Sequence, residues 1–84
     1  MKYEIKIEKR AFKSLEKIPI SDRNKIIKAI EHLASNPRPM NAKKLTGRDG
    51  WRIRIGNYRV IYEIKDYICY ILVLDVGHRK NIYK

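Results

Sequence analysis

Acidic residues, cysteines and metal-binding pairs are scarce in this 84-residue chain, and each scarcity removes a class of explanation. The single cysteine, Cys69, has no partner for an internal disulfide. It lies in an apolar run, which reads as a buried, reduced thiol in a cytoplasmic protein. His32 and His78 are far apart and share no ligand spacing with Cys69, so neither a metal nor a cofactor is expected. No stretch is long enough to span a bilayer, and Met1 to Lys6 lacks the apolar core of a signal peptide. Repeats and low-complexity tracts are absent, so residues 1–84 read as a single domain with one modest core. Nine Asp and Glu stand against 20 Lys and Arg, a formal net charge of +11. Such an imbalance points to a polyanionic partner: RNA, DNA or an acidic protein. A membrane surface is disfavoured, because neither helical stretch is a basic amphipath with a bulky aromatic face.

What is present is organised around Trp51 to Tyr62. Trp51, Ile53 and Ile55 alternate with Arg52 and Arg54, the period of a half-buried strand. Gly56-Asn57 follows, with the glycine first, as a type II′ hairpin turn requires. That turn sets Ile55 against Tyr58, Arg54 against Arg59, Ile53 against Val60 and Trp51 against Tyr62. One face becomes an apolar slab. The other carries Arg52, Arg54 and Arg59, with Arg54 and Arg59 directly opposed at roughly 5 Å between Cβ atoms. Opposed like charges weaken a ladder by up to about 1 kcal/mol. On spacing alone the face fits either a solvated surface of a basic protein or an anion site, most naturally one for phosphate.

Before this hairpin, Tyr3, Ile5 and Ile7 alternate with charged residues as a strand. From Lys9 the period changes: Ala11, Phe12, Leu15 and Ile18 recur at helical spacing until Pro19. Ser21 offers an N-cap to a second helix with an apolar stripe of Ile26, Ile27, Ile30, Leu33 and Ala34, ended by Asn36-Pro37. The short link predicts an antiparallel helical hairpin. Residues 36–50 read as a basic connecting loop, in which Lys43 and Lys44 are either solvated or an extension of a phosphate-binding surface. After the hairpin, Ile68 to Leu74 is a continuous apolar run, the signature of an interior strand, closed by Asp75-Val76-Gly77. The order β-α-α-β-β-β predicts an α+β domain, its two-helix hairpin packed on one face of a mainly antiparallel four-stranded sheet.

With the helices on the slab face, the arginine face is left open, and the C-terminal segment would add His78, Arg79 and Tyr83 to it. Guanidiniums, an imidazole and a phenol suit transesterification at an RNA phosphodiester. Attack by the 2′-OH builds negative charge on phosphoryl oxygens, which fixed cations stabilise. The reaction also moves protons off the 2′-OH and onto the leaving 5′-oxygen. Histidine ordinarily titrates near neutral pH, which makes His78 the candidate for that task.

Three segments carry a resemblance: Lys44-Leu45-Thr46-Gly47, then Gly50 to Tyr62, then Val76-Gly77-His78-Arg79-Lys80-Asn81-Ile82-Tyr83. Together they resemble the RelE branch of the RelE/ParE toxin superfamily, over essentially the whole chain. The resemblance implies the toxin of a type II toxin–antitoxin pair, a metal-independent endoribonuclease that cuts mRNA on the ribosome and stops translation. It implies a cognate antitoxin, which the charge suggests is acidic and partly disordered, and contact with operator DNA only through the antitoxin complex. The family's active-site positions fall on Arg52, Arg54, Arg59, Arg79 and Tyr83. The best-known members carry lysines on the second strand, one of them credited as the base. Here both are arginines, which are poor bases because a guanidinium keeps its proton at any accessible pH. Arg52, Lys43 and Lys44 are therefore assigned to substrate binding, Arg54, Arg59 and Arg79 to the phosphate, and proton transfer to His78, with Tyr83 assisting or serving as the surface that stacks on or orients a base. Rival readings are a ParE-like DNA gyrase inhibitor, a non-catalytic nucleic-acid-binding module, and a degraded toxin that keeps only antitoxin binding.

Overall fold

The hydrophobic period changes at Lys9, and there the chain leaves a strand and enters a helix. The computed structural model describes residues 2–78. Strand β1 (Glu4–Ile7) alternates exposed and half-buried residues. Helix α1 (Lys9–Glu16) buries Ala11 and Leu15, and α2 (Ile20–Leu33) buries Ile26, Ile30 and Leu33. Neither helix has a side-chain N-cap. Ser21 was expected in that role but lies inside the first turn, because α2 starts directly after Pro19, whose fixed φ suits a helix start. The link is held from the other side. Arg23 Nη2 donates to the carbonyls of Glu16 at 2.9 Å and Ile18 at 3.0 Å, covering oxygens that the end of α1 leaves without helical partners.

Among the described residues the sheet has five strands rather than the four expected, in the order β1-β5-β4-β3-β2. The additional strand is β2 (Lys43–Lys44), two lysines with no apolar period to reveal them. It pairs antiparallel with β3 (Trp51–Ile55), which pairs antiparallel with β4 (Tyr58–Lys65) and through it with β5 (Tyr70–His78). β1 runs parallel to β5, so the sheet is mixed. The hairpin register is the expected one, with Arg54 opposite Arg59 and Trp51 opposite Tyr62. Gly56 has φ +59 and Asn57 does not have positive φ, as a type II′ turn demands. Ile53, Val60 and Tyr62 join Ile71, Val73, Val76 and the helix residues in one buried cluster.

β5 departs from expectation at both ends. Its start is delayed by a 3₁₀ turn, Asp66–Ile68, which leaves Ile68 exposed. Cys69 follows at φ +50, half-buried rather than fully buried, where the chain reverses into the strand. At the far end the strand runs on through Asp75-Val76-Gly77 instead of closing there. It does so across a β-bulge: Tyr62 pairs with Val73 but Ile61 pairs with Asp75, so Leu74 is the extra residue. The bulge changes which residues face the core. Val73 and Val76 are both buried, whereas an unbroken strand would have aimed Asp75 inward.

Polar contacts of Tyr62 and Asp66 close the end of the sheet opposite the hairpin turn. The buried Tyr62 hydroxyl donates to Pro37 O at 2.7 Å. Arg38 holds Asp66 through two hydrogen bonds, the shorter 2.7 Å, and Tyr3 donates to the same carboxylate at 2.6 Å. Burial pushes the Tyr62 phenol up to about 12, partly offset by the charge of Arg38. A phenol that is harder to ionise when folded contributes stability that is complete below its ordinary pKa of about 10. That stability is lost as pH rises from about 10 to about 12. Tyr62→Phe should therefore cost about 1 kcal/mol at pH 7 and flatten the alkaline loss of stability, as read by urea unfolding at pH 7, 10 and 11. For Asp66, hydrogen bonds from Arg38 and Tyr3 hold the carboxyl below its ordinary value, so its contribution is present above about pH 4 and fades in acid. Asp66→Asn should lower stability at neutral pH and converge with the unsubstituted protein as pH falls below that range.

Candidate nucleic-acid interface

Residues two apart on a strand share a face, and residues directly opposed in an antiparallel pair share it too. These rules place four of the expected site residues together. Lys43 pairs with Arg52, and Arg54 pairs with Arg59, all on the face turned away from the helices. Lys43 and Arg54 are exposed and Arg52 is half-buried. Arg59 is only 5% exposed, and Ile61 on the same face is 6% exposed, so this face is less open than the sequence suggests. The accessible cations lie towards the β2–β3 edge. Asn41 Nδ2 donates to Arg54 O at 3.2 Å, tying the preceding loop to that edge.

Lys44 separates from this group. Its partner is Trp51, on the helix-side face, and its Nζ lies 5.6 Å from the indole centroid. Arg38, anchored by Asp66, lies 5.2 Å from the same ring. The two cations border a recess of about 260 Å³ whose lining also includes Asp49 and Glu63.

His78 separates as well, and this corrects the expectation that it joins the arginines. The bulge at Leu74 sets Gly77 opposite Arg59 and His78 opposite Tyr58. The imidazole meets the Tyr58 ring edge-on with centroids 5.6 Å apart. Together with Arg10, Ser14 and Lys17 of the α1 region they line a groove of about 460 Å³ on the helix side. The imidazole thus lies on the helix side of the sheet, away from the Arg54–Arg59 pair. Arg79 and Tyr83 lie outside the described residues.

The contacts that sequence reasoning missed are long-range. Arg10 reaches Asp75 at 2.9 Å, taking up the carboxylate that the bulge turns out of the core. Arg38 was not singled out at all. No periodicity marks such pairs, since their members are 65 and 28 residues apart. The chemistry of the arginine face is nevertheless plain. Guanidiniums do not give up their charge at accessible pH, and a cation shielded from water, such as Arg59, acts through a lower dielectric. The face can bind phosphate and stabilise negative charge that develops there.

Comparison with known proteins agrees with this geometry. The family model for the ParE toxin of the type II toxin–antitoxin system parDE matches residues 5–83. The candidate toxin RelE1 of Methanocaldococcus jannaschii is 35% identical over 88 residues, covering 100% of this chain and 98% of that protein. Among solved structures, the archaeal RelE–RelB complex of Pyrococcus horikoshii superposes with a TM-score of 0.81 at 28% identity, covering 96% of this chain and 99% of that one. The RelB–RelE antitoxin–toxin complex of Methanococcus jannaschii gives 0.73 at 31% identity, with 92% and 93% covered. A mutant of the E. coli toxin RelE in the free state gives 0.80 at 27% identity, with 98% and 88% covered. The sheet that aligns the arginines is thus the sheet of these toxins, and the chain belongs to the RelE branch of the RelE/ParE superfamily of type II toxin–antitoxin toxins.

Proposed function

We propose that this toxin is an endoribonuclease that cuts mRNA on the ribosome by attack of a 2′-OH on the adjacent phosphorus. The observation that best supports the reading is the direct opposition of Arg54 and Arg59, with Arg52 and Lys43 on the same face. Arg54 and Arg59 hold the scissile phosphate and stabilise its developing charge. Arg52 and Lys43 bind the RNA backbone. Arg79 adds to the phosphate site and Tyr83 orients or stacks on a base, both roles resting on the resemblance alone. Lys44, turned towards Trp51, takes no part at the phosphate. His78, on the helix side, is withdrawn from proton transfer, which leaves Tyr83 as the titratable group that the resemblance brings to the reaction.

The partner that restrains the toxin is a cognate antitoxin. Related toxins from Pyrococcus horikoshii and Methanococcus jannaschii are solved as complexes with RelB. A chain of net charge +11 suits an acidic, partly disordered antitoxin that folds on contact, and operator DNA is reached only through that complex. The toxin acts in the cytoplasm, where its ribosomal substrate is. Among the described residues no helix is long and apolar enough to cross a membrane.

The deciding assay is a translation reaction with ribosomes and a defined mRNA, mapped for new 5′ ends. Unsubstituted protein should produce ribosome-dependent cuts, Arg54→Ala and Arg59→Ala should lose them by a factor of about 100 or more, and His78→Ala should cut at close to the unsubstituted rate. Intact mRNA with growth still arrested would favour the gyrase-inhibitor reading, which the ParE name of the family model keeps in view. Intact mRNA without growth arrest would mean a toxin that retains antitoxin binding alone. Arg54→Glu separates function from stability: it should remove cleavage while stabilising the fold by a few tenths to about 1 kcal/mol in urea unfolding, because it replaces a like-charge pair by an opposite one. For the antitoxin, co-expression with the product of the adjacent small gene should yield a complex that survives physiological salt, and purification of the toxin alone would refute the pairing.

A further inference from the structure

The cations of the arginine face form two rows. Lys43 and Arg52 make one, and Arg54 and Arg59 make the other. Within a row, directly opposed residues have Cβ atoms about 5 Å apart, close enough for two long side chains to converge on one phosphate. Between rows the offset is two residues along β3, or about 7 Å, comparable to the separation of neighbouring phosphates on an extended RNA strand. Lys44 adds nothing to either row because its side chain is on the other side of the sheet. Asp75 lies in register with the Lys43–Arg52 row, two strands beyond Arg52, but its carboxylate turns to Arg10 of α1 at 2.9 Å and lines the helix-side groove.

From this spacing we infer that Lys43 and Arg52 form a second phosphate subsite, which holds the phosphate adjoining the scissile one and aligns the RNA along β3. The inference rests on the nuclease reading and deepens it. The edge strand β2 gains a purpose: two residues of pairing hold Lys43 in register with Arg52, where a free loop would let it wander. Catalysis at the Arg54–Arg59 row then depends on a neighbouring phosphate that takes no part in bond making or breaking. Such a contact supplies orientation, so it raises the rate only when both phosphates are engaged.

The test is single-turnover cleavage of ribosome-bound mRNA in which the phosphate on either side of the scissile one is replaced, one at a time, by a neutral methylphosphonate. One of the two replacements should slow the unsubstituted protein about tenfold, Lys43→Ala should slow cleavage of all-phosphate mRNA by the same factor, and the two changes combined should be no worse than either alone. Lys43→Arg, which keeps a cation in place, should cut within a factor of about three of the unsubstituted rate. Lys43 is exposed, so these variants leave the core untouched. Multiplying losses, or Lys43→Ala cutting all-phosphate mRNA at full rate, would overturn the subsite while leaving the nuclease intact. Failure of the unsubstituted protein to cut all-phosphate mRNA would instead overturn the nuclease reading and the subsite with it.

Discussion

The arginine face depends on a two-residue turn. Gly56, at φ +59, lets β3 fold back on β4 in a register that a slip of one residue would invert, sending the arginines into the core. The apolar side of the hairpin pins that register. Ile53, Val60 and Tyr62 are each at most 2% exposed, and burying a large apolar side chain is worth about 1.5–3 kcal/mol. Repulsion between Arg54 and Arg59 costs at most about 1 kcal/mol. Packing on one face therefore outweighs the like-charge pair on the other, and the fold can sustain a cation cluster that its own stability does not favour.

The bulge at Leu74 is a second decision of the same kind. Without it, the alternation that buries Ile71 and Val73 would carry Asp75 into the core and Val76 out of it. Burying an unpaired carboxylate costs several kcal/mol, more than the disruption of one rung of a ladder. One extra residue keeps Val76 buried and frees Asp75 to meet Arg10. The same residue sends His78 to Tyr58 and sets Gly77 beside Arg59. A packing requirement in the core thus determines which residue stands opposite Arg59.

The cations differ in where they stand in the fold. Arg38 and Asp66 join the 36–50 loop to the turn before β5, and Arg23 covers the end of α1. These cations are occupied by acceptors within the fold. Lys43 and Arg54, by contrast, are exposed beside Arg52 and Arg59 on a face where cation stands opposite cation. The arginines at positions 52 and 54 keep that face charged at any accessible pH, which suits electrostatic stabilisation better than proton transfer.

Local pattern by itself determined the helical hairpin, the slab of Trp51 to Tyr62, the turn at Gly56 and the pairing of Arg54 with Arg59. Each of these follows from periods of 2 or 3.6 residues and from the backbone freedom of one glycine, all of which are properties of neighbouring residues. The family was legible for the same reason, since its motifs, Lys44 to Gly47, Gly50 to Tyr62 and Val76 to Tyr83, are runs of neighbouring residues. Only the tertiary structure decided the rest: the strand Lys43–Lys44, the separation of Lys43 from Lys44, the parallel pairing of β1 with β5, and the face to which His78 belongs. A two-residue strand has too few residues to show a period. A bulge is a response to what the neighbouring strand and the core will accept, and that information is spread over the whole chain.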